Sequence, residues 1–106
     1  MDLDELRRWY GRLRAELDER RYEVTWQAPI ASRPKPSACL TLEGPDRLAA
    51  LTVWDTAEAQ LQLAKVASGE VTDEVLELAD ADQLAWAVTR MKAWVMGRDT
   101  REERSA

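Results

Sequence analysis

Five runs with a two-residue apolar period, set between two stretches with a helical period, constrain this chain more than any other feature. Tyr22, Val24, Trp26 and Ala28 alternate with Glu23, Thr25 and Gln27. Ala38, Leu40 and Leu42 alternate with Cys39, Thr41 and Glu43. Ala49, Leu51 and Val53 alternate with Ala50, Thr52 and Trp54, and Ala59, Leu61 and Leu63 with Gln60 and Gln62. A weaker run from Thr72 to Leu78 puts Leu76 and Leu78 on one side, Val75 and Glu77 on the other. Successive side chains of a strand point to opposite faces, so each run reads as a strand buried on one face. Gly44-Pro45-Asp46, Asp55-Thr56-Ala57-Glu58 and Ser68-Gly69-Glu70 are turn signals. The stretch Pro29-Ile30-Ala31-Ser32-Arg33-Pro34-Lys35-Pro36 lacks the N–H groups a ladder needs and reads as a loop. No connection reaches the dozen or so residues of a parallel crossover, so neighbouring strands are antiparallel.

The flanking stretches are amphipathic helices. Leu3, Leu6, Tyr10, Leu13 and Leu17 form one stripe, bordered by Trp9, which predicts a helix over the first twenty residues. Asp2 and Glu5 have capping-box spacing. Leu84, Val88, Met91 and Val95 form the second stripe, with Ala87 and Trp94 beside it. Asp80 with Gln83 predicts its start and Gly97 its end. The expected architecture is α+β: a two-layer sandwich in which an antiparallel sheet of about five strands carries the N- and C-terminal helices on one face. Residues 1–98 form a single domain and 99–106 a polar tail.

Composition removes most chemistry. The chain has no histidine, the commonest general base and metal ligand. Its single cysteine, Cys39, makes neither an internal disulfide nor a thiolate metal site, and reads as inert. The acid pairs Asp73/Glu74 and Asp80/Asp82 suit helix starts rather than a catalytic cleft. No glycine loop for phosphate and no alternating oxygen-ligand loop for calcium occurs. Neither a catalytic residue, a cofactor nor a metal site is expected. The net charge of −5 speaks against nucleic acid as a partner. No segment has the apolar length of a membrane span or the pattern of a signal peptide, and the lone cysteine suits the cytoplasm.

What remains is a surface. Two layers leave one sheet face bare, carrying Glu23, Thr25, Gln27, Thr41, Glu43, Thr52, Trp54, Gln60, Gln62 and Glu77. Trp54 is its one large aromatic, fit either to tuck under a loop or to anchor a partner. Acidity concentrates in residues 37–83, where ten acids face only Arg47 and Lys65, a net −8. Such a segment serves solubility or docks a basic partner. Trp86 lies roughly 200° around its helix from Leu84, off the apolar stripe, and serves either local packing or a protein contact.

The stretch from Pro36 to about Trp94 resembles the TriTu-type immunity proteins of bacterial polymorphic toxin systems. The likeness rests on Pro36-Ser37-Ala38-Cys39-Leu40-Thr41-Leu42-Glu43, on Leu51-Thr52-Val53-Trp54-Asp55-Thr56-Ala57-Glu58-Ala59-Gln60-Leu61, and on Gly69-Glu70-Val71-Thr72-Asp73-Glu74. The helix after Asp80-Ala81-Asp82-Gln83-Leu84 also fits, whereas the N-terminal helix adds little. Where the family often has glycine in the turn after the tryptophan, this chain has Ala57. The resemblance implies a non-enzymatic antitoxin that binds a cognate protein toxin in the cytoplasm of the producing cell. Relatives go with toxins that ADP-ribosylate a translation factor. The surface expected to bind the toxin comprises Glu43, Thr52, Trp54, Asp55, Glu58, Gln60, Gln62 and Glu77. The free chain is then a monomer or weak homodimer. The alternative is a self-associating or regulatory module that uses Trp86 or a free strand edge. An enzyme would need a deep apolar pocket with convergent polar groups.

Overall fold

The computed structural model describes residues 3–28 and 36–97. The order is α1 (Leu3–Glu16), β1 (Glu23–Gln27), β2 (Ser37–Glu43), β3 (Arg47–Trp54), β4 (Glu58–Lys65), β5 (Val71–Glu77) and α2 (Ala81–Val95). The strands form one antiparallel sheet in the order β1-β2-β3-β4-β5, each beside its neighbours in the chain, as short turns require. α1 lies over β1 and β2, and α2 crosses β3 and touches β2 and β4. Both helices sit on the same face, giving the expected α+β arrangement.

Strand periodicity sorts the side chains. Ala38, Leu40, Leu42, Ala49, Leu51, Val53, Ala59, Leu61 and Leu63 face the helices and are buried. They meet Leu6 and Leu13 of α1 and Leu84, Ala87, Val88, Met91 and Val95 of α2 in one core. Each fully buried leucine is stabilising by about 1.5–3 kcal/mol relative to exposure. No polar or charged side chain among the described residues is buried with them.

The boundaries follow local chemistry. The first helix ends at Glu16, short of the twentieth residue. Asp18 ends it: its carboxylate accepts the Arg20 N–H at 2.9 Å, and its carbonyl accepts those of Arg21 and Tyr22. An aspartate that can bond its own following backbone favours a turn over another helical residue. Leu17, the last residue of the expected stripe, still packs against the core from that turn. At α2, the Asp80 carboxylate accepts the Gln83 N–H at 2.9 Å, while Gln83 Oε1 accepts the Ala79 N–H at 2.7 Å. This is a capping box whose return bond lands one residue before the cap. Met96 caps the C-terminus and Gly97 follows at φ +72°, the left-handed conformation glycine enters freely. The Asp2 cap, most of the proline-rich loop (29–35) and the 99–106 tail lie outside the described residues.

Gly44 fixes the β2–β3 hairpin against the helix layer. A Cβ there would lie 2.8 Å from Val95 Cγ1 and 3.2 Å from the Tyr22 ring, so only glycine permits this approach. The next hairpin runs through Asp55, Thr56 and Ala57, with the Ala57 N–H bonded to the Trp54 carbonyl at 3.0 Å and Ala57 at φ +76°. A turn followed by one left-handed residue is the usual three-residue hairpin loop. Ala57 therefore occupies a conformation that glycine fills at lower cost.

Candidate functional site

The face of the sheet away from the helices carries the alternate set of side chains. The strand registers lay them out in rows. At one end stand Ser37 and Trp54, with Glu58 opposite Glu77 beside them. Next comes Gln27–Cys39–Thr52–Gln60–Val75, then Thr25–Thr41–Ala50–Gln62–Asp73. The far row is Glu23–Glu43–Leu48–Ala64–Val71.

This grid gathers most of the expected contact residues and separates one. Trp54, Glu58 and Glu77 share an end, with Asp55 in the adjoining turn and Thr52 and Gln60 one row in. Gln62 lies a further row away. Glu43 pairs with Leu48, six residues from Trp54 along β3, or roughly 20 Å at strand spacing. A contact centred on Trp54 and one centred on Glu43 are therefore different contacts. Trp54 itself is half-buried, and its ring lies on the bare side because its neighbour Val53 is buried in the core.

The electrostatics of this face have one sign. Its strand positions hold Glu23, Glu43, Glu58, Asp73 and Glu77 and, among the described residues, no base. The two bases of the acidic segment are turned to the helix side. The Arg47 guanidinium lies 4.4 Å from the centroid of the Trp94 ring and donates to the Trp94 carbonyl at 3.2 Å. Lys65 Nζ lies 6.0 Å from the same ring. Two acid pairs stand directly across neighbouring strands, Glu23 opposite Glu43 and Glu58 opposite Glu77. Like charges so placed destabilise a sheet.

Two polar contacts that cross the face are long. Gln60 Nε2 donates to Asp73 at 3.4 Å, and the Thr52 hydroxyl donates to the Cys39 sulfur at 3.6 Å. Cys39 is half-buried on this face. The expected bare face did not include the acidic Asp73 or the apolar Leu48, Ala64 and Val71, and with Ala50 and Val75 the apolar residues give the face an apolar component. Val75 is 87% exposed and Val71 58%. The two-residue period that puts Val75 beside Glu77 would, carried further back, have found Asp73 and Val71.

The other features lie elsewhere. On the helix side Glu74 takes a bidentate pair from Arg90 at 2.6 and 2.8 Å. Those hydrogen bonds hold its carboxyl below the usual carboxylate range, partly opposed by burial. Trp86 is 51% exposed, with the Arg90 guanidinium 5.2 Å from its ring centroid. A hollow of about 450 Å³ opens between α1 and β1, lined by Tyr10, Arg14, Leu17 and Tyr22 among others. Among the described residues, no group of His, Cys, Asp or Glu could hold a metal ion, and no helix is long and apolar enough to cross a membrane.

A family model described as "Immunity protein TriTu" matches residues 4–94. The match begins inside α1, so the N-terminal helix belongs to the shared unit although it contributed little to the resemblance. No curated protein and no solved structure matches the chain.

Proposed function

The chain belongs to the TriTu immunity protein family, and on that premise we propose that it is an antitoxin whose bare sheet face covers the active site of a cognate toxin domain. The observation that carries this reading is the single-signed face with an indole at one end. An aromatic anchor in a half-exposed position beside complementary charge is the composition of an interface hot spot. Trp54, Thr52, Asp55, Glu58, Gln60 and Glu77 form the centre of the contact, with Gln62 at its margin and Glu43 in a separate outer contact.

The toxin class that fits is an ADP-ribosyltransferase. Its substrate is an anionic dinucleotide, and a site that holds phosphates is basic. A surface whose described charges are all carboxylates is drawn to such a site and competes with the nucleotide for it. Binding alone blocks the toxin, so the antitoxin needs no chemistry of its own. It acts in the cytoplasm of the producing cell, where the toxin's target resides.

The test uses the cognate toxin domain. Thr52→Arg with Trp54→Ala removes the anchor and places a base on the face; the double variant is expected to lose about 2–4 kcal/mol of binding by calorimetry. It should also fail to restore growth of cells that express the toxin. Glu43→Lys, far along the strand, is expected to weaken binding by less than about tenfold. Wild-type affinity in the Thr52/Trp54 variant would reject this surface.

A further inference from the structure

β5 is the last strand of the sheet, and among the described residues its outer side has no partner strand. Which of its backbone groups face outward follows from the hydrogen bonds at its two ends. The Lys65 N–H donates to the Glu70 carbonyl at 2.9 Å, and the Leu78 N–H donates to the Ala57 carbonyl at 2.8 Å. In an antiparallel ladder the residues that bond inward alternate with those that bond outward. Glu70 and Leu78 bond inward, so Val71, Asp73, Val75 and Glu77 turn their N–H and C=O groups away from the sheet. The same residues place their side chains on the bare face.

Among the described residues, nothing structural blunts this edge. β5 pairs with β4 without a bulge over all seven residues and contains no proline. α2 crosses the middle of the sheet and reaches β5 chiefly through the Arg90–Glu74 pair. The β1 edge differs, since α1 packs against it and Tyr10 stacks on Trp26 at 6.3 Å. Natural sheets otherwise protect a flat edge with charge, and here the charge has one sign. Residues 70–82 contain six acids and no base. Two copies of β5 brought edge to edge would set carboxylates against carboxylates, so the edge repels itself and attracts a basic strand.

We propose that the outer edge of β5 takes up an extended, basic segment of the toxin as a sixth strand of the sheet. The four outward-facing residues supply the backbone hydrogen bonds, as in other cases of strand addition. Lysine or arginine side chains of the incoming strand lie against Asp73 and Glu77, and its apolar side chains against Val71 and Val75. This rests on the antitoxin reading and adds a main-chain contact to the side-chain contact around Trp54.

Hydrogen exchange of the antitoxin, free and bound to the cognate toxin domain, tests it. The amides of Val71, Asp73, Val75 and Glu77 are expected to exchange quickly in the free chain and at least about tenfold more slowly in the complex. Val75→Pro removes an outward N–H without costing a bond to β4. It is expected to bind at least about tenfold more weakly. Should that variant fail to fold, Asp73→Lys with Glu77→Lys keeps the backbone and reverses the charge. That variant is expected to associate at least about tenfold more slowly. If wild type binds the toxin while the four amides exchange as in the free chain, the edge proposal is overturned and the antitoxin reading stands. If wild type does not bind the toxin, both fall. Protection of the four amides without toxin would mean that a second copy occupies the edge, which also overturns the proposal.

Discussion

Replacing Glu77 by lysine should make the free protein more stable and the antitoxin worse. Glu77 stands opposite Glu58 across β4 and β5, and both side chains are exposed. The substitution exchanges a like-charge pair for an opposite one. Cross-strand pairs are worth about 0.2–1 kcal/mol, and water screens exposed ones toward the lower end, so the expected gain is roughly 0.2–0.5 kcal/mol. For a domain of this size about 1 kcal/mol moves the melting temperature by 4–8 °C, so the rise should be about 1–4 °C. Surface charges are screened by salt, and the gain should shrink between low salt and about 0.5 M. The same carboxylate belongs to the proposed contact, where a lysine would face a basic surface. Differential scanning calorimetry and toxin titration on one preparation of the variant measure both quantities. A fall in melting temperature would refute the pair assignment, and unchanged toxin affinity would remove Glu77 from the contact. A substitution that stabilises the fold while weakening the complex separates the demands of binding from those of folding.

Ala57→Gly relieves a left-handed alanine, which costs about 1–2 kcal/mol, at the expense of about 0.5–1 kcal/mol of glycine entropy; urea unfolding should show a net gain of roughly 0.5–1 kcal/mol. Gly44→Ala drives a methyl against Val95 and Tyr22 and should cost about 1–3 kcal/mol in the same assay. Asp80→Ala removes the α2 cap and should cost about 1 kcal/mol. Glu74 has a lowered folded pKa, so its bond to Arg90 stabilises fully above the ordinary carboxylate value of 4.5 and is lost as pH falls through the lowered value. Glu74→Gln should therefore melt below wild type at pH 7 by an amount worth less than about 1 kcal/mol, and the gap should close in acid. Sedimentation at micromolar concentration should find the free chain monomeric, since its open edge carries one sign of charge.

The sheet was legible in the sequence because a two-residue period specifies both the strand and the face each side chain takes. Antiparallel pairing followed from turns too short for anything else. The position of Glu43 relative to Trp54 depends on hairpin geometry as well as composition. Both lie on the bare face, but Glu43 adjoins the Gly44 turn and Trp54 the Asp55 turn, at opposite ends of β3. The end of α1 was misplaced because Leu17 continues the helical period while Asp18 supplies turn chemistry, and turn chemistry prevailed. The outward edge of β5 could not be read from the sequence at all, since it depends on which residues bond inward to β4.

The acidity of the bare face is a consequence of strand parity more than of composition. Arg47 lies two residues before Ala49, and Lys65 two after Leu63, so both continue the buried set. Turned inward, they lie over Trp94, and Trp94 in turn donates its indole N–H to the Ala64 carbonyl at 3.2 Å. Arg47 and Lys65 thus join the last turn of α2 to the sheet, while Glu58, Asp73 and Glu77 stay on the opposite face. A slip of β3 by one residue would reverse this, sending Arg47 to the bare face and Trp54 into the core. What forbids the slip is the burial of Ala49, Leu51 and Val53, which it would turn out to solvent. The apolar pattern that fills the core therefore also sets the charge of the opposite face.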